Sequence, residues 1–147
     1  MTKASRPLVI SPSSISAQPS ESYPNASHGI LTWKTLISAP QTQTNTLIAG
    51  TLTLPPKKGH LCPHRHTQAE IYHIISGSGV MEIDGVEYNV EAGNVVYIPG
   101  DAKHGIRNEG EEDLTWLWVF AADGFRDVVY RWEQEAEGEQ EERAERG

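Results

Sequence analysis

Apolar and polar positions alternate over short runs through most of the chain, and turn residues close each run. Residues 30–37 have strand composition, and 45–54 read as a second strand, stopped by Pro55-Pro56 and the Lys57-Lys58-Gly59 turn. Two more strands follow over 61–66 and 70–75. After Gly77-Ser78-Gly79, residues 80–84 and 86–90 flank Asp84-Gly85, the strongest hairpin signal in the chain. Strands over 94–98, 103–108 and 114–121 complete the series. Strands this short, with turns roughly 8–12 residues apart and little helical periodicity, predict an all-β antiparallel sandwich or barrel.

The two ends read differently. Residues 1–28 are rich in Ser and Pro, and no acidic residue precedes Glu21. Prolines at 7, 12, 19 and 24 oppose an amphipathic helix, so an extended arm lying on the barrel or on a partner subunit is expected. Near the other end, Phe125, Val128, Val129 and Trp132 fall at i, i+3, i+4 and i+7, one face of a short helix. Val128-Val129-Tyr130 also suits a final strand, and both readings stand. Residues 133–147 hold seven Glu against two Arg and have nothing to bury, which predicts a solvated, flexible acidic tail. The layout is an arm over 1–28, a barrel over 29–132 and the tail.

Composition narrows the class. A chain of 147 residues with 37% hydrophobic and 22% charged residues has the size and balance of one soluble domain. No apolar run reaches the ~20 residues that span a bilayer, and no secretory signal opens the chain, so a cytoplasmic protein is expected. The formal charge of −8 is largely the tail, and no basic surface points to nucleic acid. The single cysteine, Cys62, excludes an internal disulfide. Lying two residues before His64, it is expected by parity to share that residue's interior face, as a small buried hydrophobe.

The candidate chemistry is concentrated in residues 59–72 and answered by His104. Residues two apart on a strand face the same way, so His64 and His66 can aim both imidazoles at one point, and Glu70 can join them after a turn. Three imidazoles and one carboxylate make a site for one divalent metal. Fe(II) comes first, with Mn(II), Ni(II), Co(II) or Zn(II) as alternatives. Tyr72 shares the parity of Glu70, and a nearby cation would lower its phenol toward the range of a general base. His73 has the opposite parity, as do Arg65, Lys103 and Arg107 relative to their neighbouring ligands, so all four are expected to face outward. Trp116, Trp118 and Phe120 form one face of a strand, and Leu117 and Val119 form the other. Parity does not say which face looks inward.

The string His64-x-His66-x3-Glu70-x6-Gly77, followed by Gly93-x5-Pro99-x-Asp101-x2-His104-x3-Asn108, resembles the two motif halves of the cupin superfamily over residues 45–121. Two departures touch turns: four residues rather than the usual five separate Gly59 from His64, and Asp101 stands where a glycine is usual. The resemblance implies a double-stranded β-helix, or jelly-roll, barrel. It also implies His64, His66, Glu70 and His104 as metal ligands. Together with Glu70-Ile71-Tyr72 the set is similar to the small cupin-type dimethylsulfoniopropionate lyases. That similarity implies a lyase or isomerase acting on a small carboxylate- or enol-bearing molecule, with Glu70 and Tyr72 catalytic and Tyr72 the base. A metal-dependent dioxygenase on an enol or aromatic substrate, a cyclase or decarboxylase, and a non-enzymatic binding protein are the alternatives. A homodimer is expected, with a small-molecule substrate and neither nucleic acid nor membrane as partner.

Overall fold

The computed structural model describes residues 4–135 together with 143, 144 and 146, so most of the acidic tail assigned to 133–147 lies outside the described residues. A short helix, α1 (Pro12–Ala17), precedes the strands β1 (Gly29–Ile30), β2 (Thr32–Ile37), β3 (Ile48–Leu54), β4 (His60–Arg65), β5 (Glu70–Ser76) and β6 (Ser78–Ile83). β7 (Val86–Glu91), β8 (Val95–Ile98), β9 (His104–Arg107), β10 (Leu114–Phe120) and β11 (Arg131–Trp132) complete the order. Two antiparallel sheets face each other as a jelly roll. One runs β1-β4-β9-β6-β7 with β11 also on β4, and the other runs β2-β3-β10-β5-β8.

The core lies between the sheets and follows strict alternation. On β10 and β3 every second residue is buried, and Trp116, Trp118 and Phe120 are the inward set. They sit opposite Leu52, Gly50 and Ile48 of β3 on one side, and Ile74, Tyr72 and Glu70 of β5 on the other. Each buried Leu, Ile or Phe among them contributes about 1.5–3 kcal/mol relative to exposure. Gly50 is required beside Trp118, because a Cβ there would run into the indole ring. The aromatic face left open by parity is therefore interior, and Leu117 and Val119 face out.

Turns fall where Gly and Asp allow them. Asp84 and Gly85 take φ of 48° and 83°, the left-handed pair of a two-residue hairpin joining β6 and β7. Asp101 has φ 63°, a conformation that favours glycine and that Asp tolerates. Its side chain accepts a hydrogen bond from Arg131, a contact that glycine could not make.

The N-terminal segment is not extended throughout. Ser11 caps α1 by accepting from the Ser14 N–H at 3.1 Å, and Pro12 opens the helix, where its missing N–H costs nothing. The segment lies on its own barrel. The Gln18 amide donates to the Thr35 carbonyl at 2.8 Å, and Glu21 and Trp33 exchange backbone hydrogen bonds. At the other end a 3₁₀ turn (Phe125–Asp127) leads into β11, so the helical spacing of Phe125, Val128, Val129 and Trp132 does not describe this stretch. Val128 and Trp132 are buried and Tyr130 is half-buried, with Val129 and Arg131 exposed between them, a period of two.

Candidate metal centre

The site is built where the two sheets face each other. β4 and β9 pair with His64 directly opposite His104, which brings their rings to 4.2 Å between centroids. His66 follows just past the end of β4, and its ring lies 5.0 Å from that of His104. From the opposite sheet, Glu70 and Tyr72 occupy the first and third positions of β5, both turned inward. All five side chains are almost fully buried, between 1% and 3% exposed.

A bulge decides which β4 residues reach this interior. Between Leu61 and His64 the register with β9 slips, so three steps on β4 answer two on β9. Leu61 and His64 then share the inward face, and Cys62 is turned out of it. This corrects the parity expectation for Cys62. Its thiol lies instead against the Ser27 carbonyl and the Gln134 amide, and burial pushes its pKa up. His73 and Arg65 are exposed, Lys103 pairs with Glu133, and Arg107 lies between Glu87 and Glu109, all as expected.

The donor chemistry fits a cation. Each Nδ1 lies against a backbone carbonyl: His64 to Cys62 at 2.8 Å, His66 to Gln68 at 2.9 Å, His104 to Ala102 at 2.9 Å. A carbonyl only accepts, so each Nδ1 carries the ring proton and each Nε2 presents a lone pair. One ring nitrogen from each histidine lies within 4.8 Å of the others. Glu70 Oε2 is 2.9 Å from His66 Nε2 and 3.2 Å from His104 Nε2. It thus touches two of the imidazoles while standing outside the three-histidine cluster. Acceptors packed this tightly, away from water, need a proton or a metal ion between them. Burial first, and then His104, hold the His64 imidazole well below its ordinary 6.5, so it stays neutral and able to bind a metal.

Tyr72 shows the opposite bias. Burial first, and then the Glu70 charge, push its phenol well above 10.0, so without a cation it remains protonated. Its ring packs against that of Trp116, tilted, with 5.0 Å between centroids.

Sequence reasoning missed a second tyrosine. Tyr130 lies over the imidazoles, 5.1 Å from the His64 ring and 5.5 Å from the His66 ring, and burial with the Glu70 charge holds its phenol well above 10.0. The alternation Val128, Tyr130, Trp132 was the available signal. Tyr23 from the N-terminal segment joins the same wall, packed edge-on against Trp132, with its phenol pushed up to about 12. Tyr23, Tyr130, Trp33 and Phe125 close a cavity of about 30 Å³ against His64, Glu70 and Tyr72.

A family model described as a cupin domain matches residues 50–120. The dimethylsulfoniopropionate lyase DddW of Ruegeria pomeroyi is 40% identical over 105 residues, covering 71% of this chain and 67% of that protein. Among solved structures, a cupin-2 domain protein of Rhodospirillum rubrum superposes with a TM-score of 0.66 at 20% identity, covering 91% of this chain and 84% of that one. The polyketide cyclase RemF of Streptomyces resistomycificus gives a TM-score of 0.68 at 18% identity, covering 81% and 82%.

Proposed function

The chain belongs to the cupin family, and from that premise we propose that it is a metal-dependent lyase that cleaves dimethylsulfoniopropionate or a close carboxylate-bearing analogue. The observation that carries the proposal is Tyr72, a buried phenol beside Glu70 in a cavity that His64 also lines. The relative named as a dimethylsulfoniopropionate lyase, 40% identical to this chain, supports the substrate class.

In this reading His64, His66, His104 and Glu70 hold one divalent ion, Fe(II) first. Bound there, it would supply a Lewis acid and a positive charge beside Tyr72, offsetting Glu70 and drawing the phenol toward the range of a base. Among the described residues no guanidinium or ammonium lines the cavity, so in this reading the substrate carboxylate is left to the cation. The aromatic wall of Tyr23, Trp33, Phe125 and Tyr130 suits a sulfonium group. Tyr72 Oη takes a proton from the carbon next to the carboxylate, and the electron pair of that C–H bond forms the new double bond. The C–S bond breaks with its electrons on sulfur, and dimethyl sulfide and acrylate leave. The proton returns to solvent from Tyr72.

Substrate needs more room than this. A cavity of about 30 Å³ holds one or two waters, so part of the wall has to move. The weakest wall is the C-terminal strap that carries Tyr130. Besides the buried Val128 and Trp132, it is held by the two-residue β11 pairing, by the surface ion pairs of Arg131 with Asp101 and Lys103 with Glu133, and by a hydrogen bond between His28 and Glu135. Such pairs are each worth little in water. The other walls are anchored in a sheet or in the segment laid along β2, except Phe125, whose N–H donates to the Ser38 hydroxyl from the 3₁₀ turn.

The test is release of dimethyl sulfide from dimethylsulfoniopropionate by protein loaded with each candidate metal, in air and under argon. Turnover in both is expected. Tyr72→Phe should lower kcat by about 10²–10⁴ with metal content unchanged. Absence of product with every metal, or a strict need for oxygen, would overturn the proposal.

A further inference from the structure

Leu61 and Phe125 each line both the inner cavity and a cleft on the surface, and they are held differently. Leu61 sits in β4 between Gly29 of β1 and Ile106 of β9, so moving it means opening a sheet. Phe125 stands on the 3₁₀ turn, outside both sheets. Its N–H donates to the Ser38 hydroxyl at 2.9 Å, and its ring rests against Trp118 and Tyr130, at 5.6 Å and 6.0 Å between centroids. The cleft on its outer side measures about 610 Å³ and lies between the N-terminal segment, β2 and the loop after β2. Phe125 begins the segment that carries Tyr130, so a strap movement that enlarges the inner cavity opens it toward this cleft.

The cleft has the size of a small-molecule site. Gln18, Glu21, Thr35, Ser38 and Thr42 give it a polar lining, and Arg126 is the one cation among the described residues that line it. The carboxylates nearby are engaged. Glu21 accepts from the Thr35 hydroxyl at 2.9 Å and the Thr35 N–H at 3.3 Å, and Asp127 accepts from the Gly124 N–H at 3.2 Å. Among the described residues Arg126 makes no ion pair, and its side chain is exposed. The cation at the Leu61 cleft is different: Arg107 is bound by Glu87 at 2.9 Å and Glu109 at 2.6 Å. A chain of net charge −8 repels a small anion over most of its surface and attracts it where a cation stands free.

We propose that this cleft is the entrance to the metal centre and the capture site for a small carboxylate-bearing molecule. Phe125 is the partition between the two spaces, and Arg126 is the cation that receives the carboxylate first. The substrate class rests on the lyase reading above, whereas the route rests on Phe125 and the two spaces it separates. Arg126 lies outside the inner cavity and touches no reacting atom, so its loss acts on approach and on KM and leaves kcat alone.

A thiol inside the cavity reports on this route without metal or turnover. In the full chain with Cys62→Ser, Leu52→Cys places the only thiol on the inner wall, and Leu31→Cys on the same wall replaces it should Leu52→Cys misfold. The thiol is labelled at low ionic strength by two methanethiosulfonates of similar size, one carrying a sulfonate and the other a quaternary ammonium. A unit charge about 7 Å from the path changes each rate by about threefold in opposite directions, so Arg126→Gln should lower the sulfonate-to-ammonium ratio by about tenfold. Phe125→Ala removes the partition and should raise both rates by about tenfold or more. Arg107→Gln, at the Leu61 cleft, should change neither. A ratio unmoved by Arg126→Gln, rates unmoved by Phe125→Ala, or a ratio that falls with Arg107→Gln instead overturns the proposal. With dimethylsulfoniopropionate as substrate, Arg126→Gln should raise KM about threefold at unchanged kcat. The expected labelling without any turnover would sink the lyase reading and leave the entrance standing.

Discussion

Removing the cation is the perturbation that most directly tests the acceptor cluster. Three Nε2 lone pairs and one carboxylate are buried together, with Glu70 Oε2 at 2.9 Å and 3.2 Å from two of the imidazoles. An ion held there in the folded state alone stabilises the fold by about 2.7 kcal/mol when free metal is about 100 times its Kd. For a chain of 147 residues that corresponds to a rise in Tm of about 5–11 °C. The assay is differential scanning calorimetry of chelator-stripped protein, with each of iron, manganese, nickel, cobalt and zinc added back, iron without oxygen. His66→Ala removes one imidazole and should reduce the shift to about 2 °C or less, with the chelator-stripped Tm of the variant measured first as its baseline. A wild-type shift below about 1 °C for all five metals would refute the reasoning, as would an undiminished shift in His66→Ala.

Four further outcomes follow from the same geometry. Burial holds Tyr72 and Tyr130 well above their ordinary 10.0 and Tyr23 up to about 12, so their stabilisation is complete below pH 10 and is lost as pH rises past it. Each phenol should cost about 1.4 kcal/mol per pH unit there, and Tyr130→Phe should flatten a curve of unfolding free energy against pH by that amount. For His64 the sign reverses: its depressed imidazole makes the metal-free protein lose stability as pH falls below about 6.5, on the order of 1.4 kcal/mol per unit. Asn108 donates to the carbonyls of Leu54, Pro55 and Glu112 and accepts from the Gly110 N–H, so Asn108→Ala should cost about 2–4 kcal/mol in urea unfolding. Arg65 and Arg131 are direct cross-strand partners, and both are exposed. A disulfide between cysteines at these positions, in a Cys62→Ser background, should lock the strap. Metal uptake and turnover should then stop on oxidation and return on reduction, and rates unchanged by oxidation would exonerate the strap.

Which features were legible in the sequence depends on the range of the physics behind them. Strand alternation is local, so the strands, the Asp84-Gly85 hairpin and the shared inward parity of Glu70 and Tyr72 could be read from a few neighbouring residues. The convergence of His64, His66 and His104 could be read from motif spacing, because the family's turns repeat it. Local alternation does not say which of two faces meets a second sheet. Only assembly turned Trp116 and Trp118 inward and left Ile71, Val95 and Tyr97 outside. One extra residue in β4 reversed the parity of Cys62, because a bulge is defined by the partner strand and not by the strand that carries it. Tyr130 and Tyr23 reach the imidazoles from segments far from them in sequence. No periodicity carries that information, since what closes the cavity is where the chain ends come to rest on the finished barrel.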